Sequence, residues 1–499
     1  MSSSCRLWVI NPSPSMSRVP CVALIGRLRP YSRLLRSGTY IVLKKTYMAK
    51  LQKNQDIGKL KVQHSRCGGI DVGATLMQVC ISVEDSRHGS NRSFGTDTQS
   101  LRDIVKWLLG HGITHVAMES TGVYWIPLFN MLVKNGIEAI LVNPADVKNY
   151  TARKTDVNDA AWLMTLMSYD LVKPSFQTDR LSRALRNCTR QRMSLVSICS
   201  DCIRRMQKTM ELMNIKLTEV ISDIAGPTGI RIIEAILGGN TSPRDLAALA
   251  SDKCKSSKEE IARALEGTWD DELIFILGQH YRQYQLYREQ TMQLDSMIEC
   301  KLKLLVERIL KMNGGEMKTV IRSRKATPHR KNRISFDIEA LSVQIWGVNL
   351  MRIDGVSGIT LLTLMGELGC NFVSSFKDAA HFCSWCNLSP DHKITGGRII
   401  SSKMKKRVNP VGLMLRNCAQ TLSNSNSPLG DYYRRMRGKG GGKYAVCATA
   451  HKIAAIIYTM VRNQQEYDPS KVSVNDRQWL EKRIMHQEMI LKRLKNRVS

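Results

Sequence analysis

A chain of 499 residues with 74 Lys and Arg against 43 Asp and Glu carries a formal charge of +31, a balance that calls for a polyanionic partner. That length accommodates two or three domains with sizeable cores. No apolar run approaches the roughly eighteen residues of a membrane span, and the 14 Cys are scattered without a disulfide-like framework, as expected of reduced thiols in a cytoplasmic chain.

Residues 1–55 hold six Arg and four Lys and neither Asp nor Glu. The composition resembles a transit peptide. Met48-Ala49-Lys50, however, looks like an ordinary start context, which favours an upstream extension of the reading frame or a disordered basic arm over residues 1–64. From Gly68 to about Ser175, strand and helix signals alternate as in an α/β domain. A strand lies near Asp71, a second or a hairpin partner over Thr75 to Val83, a helix over Leu101 to Gly110, and a strand runs into Glu119. A helix over Trp125 to Gly136 and a strand over Ile137 to Val142 follow.

Four acids stand out in this region. An acid in the apolar setting of Ile70-Asp71-Val72-Gly73 costs several kcal/mol, roughly the unpaired-charge penalty, unless a cation or hydrogen bonds compensate it. Glu119 closes the apolar run His115 to Met118, at a strand's carboxyl edge. Asp156 and Asp159 open the segment that continues Ala160-Ala161-Trp162, and at a spacing of three they share one side of a helix and repel. A hard divalent cation, Mg²⁺ or Mn²⁺, would relieve that repulsion. Two strand acids with a helical acid pair suit a two-metal phosphoryl-transfer site. The blander alternative for the helical pair is favourable placement at a helix N-terminus. Lys148, Arg153 and Lys154, in the loop before Asp156, are suited to meet phosphates.

Farther along, Arg180 to Leu217 reads as a helix with one apolar stripe. Its cations, Arg183, Arg186, Arg190, Arg192, Arg204, Arg205 and Lys208, are left for solvent or a nucleic-acid backbone. Leu273, Leu277, Tyr284, Tyr287, Leu294, Ile298 and Leu305 form a coiled-coil-like pattern, for assembly or for packing within the chain. The basic run Arg322 to Arg333, with Arg324 and Lys325, reads as an exposed linker with nucleic-acid affinity. Gly355 and Gly358, before the helix Leu361 to Leu368, suit a helix-hairpin-helix turn whose amides can face a phosphate. Arg434, Arg435 and Arg437 flank the glycines at 438 and 440–442 in a basic loop between two helices. Cys199-x-x-Cys202 and Cys383-x-x-Cys386 could be paired as a zinc site, but small buried helix residues are the better reading.

Gly69-Ile70-Asp71-Val72-Gly73, Met118-Glu119-Ser120-Thr121-Gly122, Val142-Asn143-Pro144 and Lys154-Thr155-Asp156-Val157-Asn158-Asp159, followed by Leu388-Ser389-Pro390 and Ile394-Thr395-Gly396-Gly397, occur in an ordered series over about residues 65–465. This series resembles the transposases of the IS110 and IS1111 insertion sequences. The resemblance implies an RNase H-like, RuvC-like DEDD domain at 65–177, with Asp71, Glu119, Asp156 and Asp159 as metal ligands. It further implies a mainly helical C-terminal transposase domain at 346–465, while the residue patterns above give a helical and coiled-coil middle at 178–320 and a basic linker at 321–345, and residues 466–499 read as a charged helical tail.

In such proteins the C-terminal domain supplies a serine nucleophile in a glycine turn. Here Thr395 takes that place, with Ser401 and Ser402 as alternatives; a glycine turn with no covalent role is the plainer reading. Arg398, Lys403, Lys405, Lys406 and Arg407 surround the turn and suit phosphate. The implied function is a DNA transposase, or site-specific recombinase, that moves an insertion sequence in the bacterial cytoplasm near the nucleoid. It would act as a homodimer or homotetramer, in part of the family with an element-encoded guide RNA. The alternatives are a RuvC-like nuclease that forms no covalent intermediate, or a decayed DNA-binding copy.

Overall fold

The computed structural model describes residues 61–83, 86–120, 122–143, 156–312, 314–323, 333–404 and 408–472, with scattered positions of the tail. The chain divides into two compact units, one ending at Ser175 and one beginning at Phe176.

The first unit is a five-stranded mixed sheet with helices on both faces. Strands β1 (Cys67–Val72), β2 (Leu76–Val83) and β3 (Ser86–Gly95) form an antiparallel meander, while β4 (His115–Glu119) and β5 (Glu138–Val142) run parallel to β1. The order across the sheet is β3-β2-β1-β4-β5. β3 was not anticipated, because its sequence Ser-Arg-His-Gly-Ser-Asn-Arg-Ser is polar. It lies at the sheet's edge, where polar and charged residues guard against further pairing. Helices α1 (Thr98–Gly110), α2 (Trp125–Lys134) and α3 (Asp156–Ser168) complete the unit. α1 starts three residues before the expected Leu101, because the Asp97 side chain accepts hydrogen bonds from the amides of Gln99 and Ser100, a cap that contributes about 1 kcal/mol.

Strand alternation divides the apolar residues between the two faces. Ile70, Val72, Val116, Met118 and Leu141 pack with Leu101, Ile104, Leu108 and Leu128 of α1 and α2. Cys67, Cys80, Ala117 and Val142 pack with Ala160, Leu163, Met164 and Met167 of α3.

The second unit is mainly helical. Helix α4 (Arg180–Leu212) is followed by the short helices α5 (Leu217–Val220), α6 (Pro227–Leu237), α7 (Pro243–Ala248) and α8 (Lys258–Ala264), and then by α9 (Asp271–Met312). After these come α10 (Ile338–Trp346), α11 (Gly358–Leu368), α12 (Ala379–Trp385), the hairpin strands β6 (Lys393–Thr395) and β7 (Arg398–Ser401), α13 (Pro410–Thr421) and α14 (Pro428–Asn463). The periodic stripe of α9 is used within the chain. Leu277 and Tyr284 pack with Cys202, Met206 and the short helices, and Ile298, Leu302 and Leu305 share a core with Leu185 of α4 and with residues as distant as Ile457 and Val472. One core thus draws on the middle helices and the C-terminal helices together. α14 is long and apolar enough to cross a membrane by length and composition, but half of that apolar stretch is buried within the protein, as in a core helix. The basic loop expected near 440 is a kink in α14, where Gly440 and Gly441 leave helical geometry.

The cations of α4 correct the single-stripe reading. Arg192 is only 2% exposed and is paired with Asp295 of α9, its Nη2 donating to Oδ2 at 3.2 Å. Arg190 makes a two-pronged pair with Glu367 of α11 at 2.7 and 3.0 Å, and Arg186 donates to the backbone carbonyls of Gly366 and Glu367. A helix of 33 residues packed on by both α9 and α11 has no single buried stripe, so cations that would face solvent on an isolated amphipathic helix become interhelical pairs.

Candidate metal and strand-transfer site

The strand register brings two of the acids together. β1 and β4 are paired through Ile70 and Met118, so Asp71 and Glu119 are the next residues on neighbouring parallel strands, at their carboxyl ends. By alternation both belong to the face carrying Cys67, Gly69 and Ala117, which α3 covers. Each is partly buried.

The path of α3 sets where the helix-borne acids lie along β1. The Cys67 thiol lies 3.6 Å from the Met164 carbonyl. Two residues on, a Cβ built on Gly69 would stand 2.1 Å from the Ala160 carbonyl oxygen and 2.3 Å from the Met164 amide nitrogen. Advancing along β1 therefore means moving back along α3. Two further strand residues cover about 6.6 Å, close to the roughly 6 Å spanned by four helical residues, which brings the strand position of Asp71 beneath the first turn of α3. That turn contains Asp156 and Asp159. Gly69 has to be glycine here, since any side chain would collide with helix backbone.

Carboxylate donors would suit Mg²⁺ or Mn²⁺, and glycine at 69 admits the backbone of the helix that carries Asp156 and Asp159. The side chain of Asp156 lies outside the described residues. Among the described residues no group of three or more His, Cys, Asp or Glu side chains is placed to hold an ion. Cys199 and Cys202 are buried in one apolar cluster and Cys383 and Cys386 in another. Burial pushes the Cys383 thiol up to about 12 and that of Cys386 well above the ordinary thiol range, as for small core residues.

Thr395 closes β6 and pairs with Arg398 of β7 across Gly396 and Gly397, whose φ values of +55° and +79° give the left-handed geometry of a two-residue hairpin turn. A Cβ on either glycine would meet nothing within 4 Å, so the turn projects into solvent. Thr395, Arg398, Ser402 and Lys403 are exposed and Ser401 is partly so. Sequence reasoning passed over His392, whose Nδ1 lies 3.1 Å from the Ser402 hydroxyl. The available signal was a histidine and a serine equally spaced about a Gly-Gly turn, allowing for one bulged residue.

Gly355 and Gly358 are held by packing. A Cβ on Gly355 would stand 2.8 Å from the Cys418 carbonyl oxygen of α13, and one on Gly358 would stand 3.0 Å from Ile338 of α10. Ser357 caps α11 by accepting from the Thr360 amide. Arg434 donates to the carbonyls of Ser423 and Ser425 and pairs with Asp431. Arg435 lies over the Tyr432 ring, and Arg437 is exposed. Lys148, Arg153, Lys154, Arg324, Lys325, Lys405, Lys406 and Arg407 lie outside the described residues.

A mixed sheet with an acid at the end of its first strand, a second acid on the neighbouring strand and two more in the first turn of a covering helix is the arrangement expected of an RNase H-like DEDD domain, here in a chain whose second unit is mainly helical. A family model described as a transposase of the DEDD IS110 type matches residues 68–215, and one described as the transposase IS116/IS110/IS902 family matches residues 348–434. Both matches support an IS110-family transposase. No curated protein matches it.

Proposed function

We propose that this transposase cuts and exchanges DNA strands with Mg²⁺ or Mn²⁺ held by Asp71, Glu119, Asp156 and Asp159. The supporting observation is the seat of α3 on Gly69, two residues before Asp71, where the helix backbone at Ala160 and Met164 approaches β1. A metal bound there would supply charge stabilisation to the attacking and leaving oxygens of a phosphodiester. Asp71, Glu119, Asp156 and Asp159 would hold it, and in the second unit the hairpin supplies the attacking hydroxyl, from Thr395, Ser401 or Ser402.

Lys148, Arg153, Lys154, Arg324, Lys325, Arg398, Lys403, Lys405, Lys406, Arg407, Arg434, Arg435 and Arg437 contribute backbone contacts, consistent with the charge of +31. In a helix-hairpin-helix role Gly355 and Gly358 would present amides to a phosphate. The exposed Phe275, Leu286 and Leu304 on the outer side of α9 support assembly as a homodimer or homotetramer. An element-encoded RNA would select the DNA partners.

The test incubates purified protein with Mg²⁺, element-end and target DNA and the transcribed flanking RNA. Joined donor–target products and a protein–DNA adduct, both lost in Asp71→Ala, are expected. Metal-dependent cutting with neither joined product nor adduct would replace this reading with a hydrolytic nuclease. Omission of the RNA tests the guide separately.

A further inference from the structure

The β6–β7 hairpin carries three hydroxyls, and the structure treats them unequally. Thr395 sits at the turn, and its hydroxyl has no hydrogen-bond partner among the described residues. The Ser401 oxygen accepts from the backbone amide of Lys403 at 3.4 Å. Ser402 alone faces a base, His392, at 3.1 Å.

That pairing is produced by a bulge. Thr395 pairs with Arg398 and Ile394 with Ile399, but Lys393 pairs with Ser401, a shift of one residue. The shifted register continues, since the Asp391 amide donates to the Lys403 carbonyl at 3.0 Å. Without the extra residue His392 would face Ser401. A bulge re-aims side chains in this way, and a hydroxyl within hydrogen-bond reach of a histidine is the arrangement that activates a serine nucleophile.

We infer that Ser402 is the hydroxyl that attacks DNA and that His392 is its general base; this rests on the strand-exchange reading above. With Nε2 carrying the ring hydrogen, Nδ1 accepts the Ser402 proton as the Oγ–P bond forms. The P–O bond to one deoxyribose oxygen breaks, and that oxygen takes a proton from solvent to become a free hydroxyl. In the second step a deoxyribose hydroxyl of the other DNA attacks the phosphoserine and gives its proton to solvent. Ser402 Oγ then leaves and recovers its proton from the imidazolium, so the number of phosphodiesters is unchanged.

The experiment traps the adduct formed by full-length protein with Mg²⁺, DNA and RNA as above, digests the DNA to a nucleotide remnant and maps that remnant by tryptic mass spectrometry. Trypsin cuts after Lys393, Arg398 and Lys403, which separates Thr395 from the two serines. A remnant on Ser402, located by fragment ions, is expected, and one on Thr395 or Ser401 overturns the assignment while leaving the strand-exchange reading intact. His392→Ala should slow adduct formation by about 10²–10⁴-fold, with partial rescue by added imidazole, which a purely structural contact would not show. An unchanged rate, or a loss that imidazole does not relieve in a variant with native melting temperature, removes His392 as base. Cutting that depends on Asp71 but yields no adduct overturns both readings.

Discussion

The carboxylate site and the β6–β7 hairpin are built in opposite ways. Asp71 and Glu119 extend from strands whose preceding residues are buried on both faces, under α1 and α2 on one side and α3 on the other. The hairpin has exposed residues along nearly its whole length, including Ile394, Ile399 and Ile400, and is held by a few ladder bonds and a Gly-Gly turn. Placing carboxylates around a cation requires a rigid frame, because like charges repel until the ion is present. A hydroxyl that has to reach a phosphate on a large polyanion gains from exposure. Rigidity therefore sits with the proposed metal ligands, and access sits with the proposed nucleophile.

The largest expected effect is at the carboxylates. Asp71→Ala should lower strand cleavage by at least about 10³-fold, since loss of a metal ligand removes several kcal/mol of charge stabilisation, while circular dichroism shows a folded protein. Retention of cleavage would break the comparison at its rigid end. Next comes the helical frame of the second unit: Arg192→Ala leaves Asp295 buried without its partner and should cost about 3–5 kcal/mol in urea unfolding.

Gly69→Ala drives a methyl group into the backbone of α3 and should cost about 1–3 kcal/mol and weaken Mn²⁺ binding measured by calorimetry. Gly110→Ala, where a Cβ meets nothing within 4 Å, provides the contrast and should change neither by more than about 0.5 kcal/mol. Gly397→Ala, at φ +79°, should shift thermal unfolding only slightly, because about 1–2 kcal/mol of strain falls on an exposed hairpin. It should nonetheless slow adduct formation.

The smallest effect is with pH. Hydrogen bonding from Arg322 holds the Asp337 carboxyl below its ordinary range. A depressed native pKa gives stability that is complete above the unfolded value near 4 and is lost as pH falls through the lower native value. The pair is half exposed, so at most about 1 kcal/mol is at stake, read as the difference between wild type and Asp337→Asn in unfolding curves at pH 7 and pH 3.

Much of the first unit was legible in sequence. Alternating apolar residues around Asp71 and Glu119 marked the strands, and Asp156 to Ala161 marked a helix start, because burial on a pleated or helical surface leaves a period. β3 was not legible, since an edge strand can be polar throughout. The extra cations of α4 pointed toward DNA until packing on two sides turned Arg192, Arg190 and Arg186 into partners of Asp295, Glu367 and the end of α11.

Sequence by itself determined the four acids, their strand and helix settings, the basic charge and the Gly-Gly turn, all of which follow from residue type and local spacing. Tertiary structure decided that Gly69 admits α3 over the sheet, that the α9 stripe is spent within the chain, and that a bulged register sets Ser402 opposite His392. Each of these depends on which backbone approaches which, and residues distant in sequence leave no periodic trace of that approach.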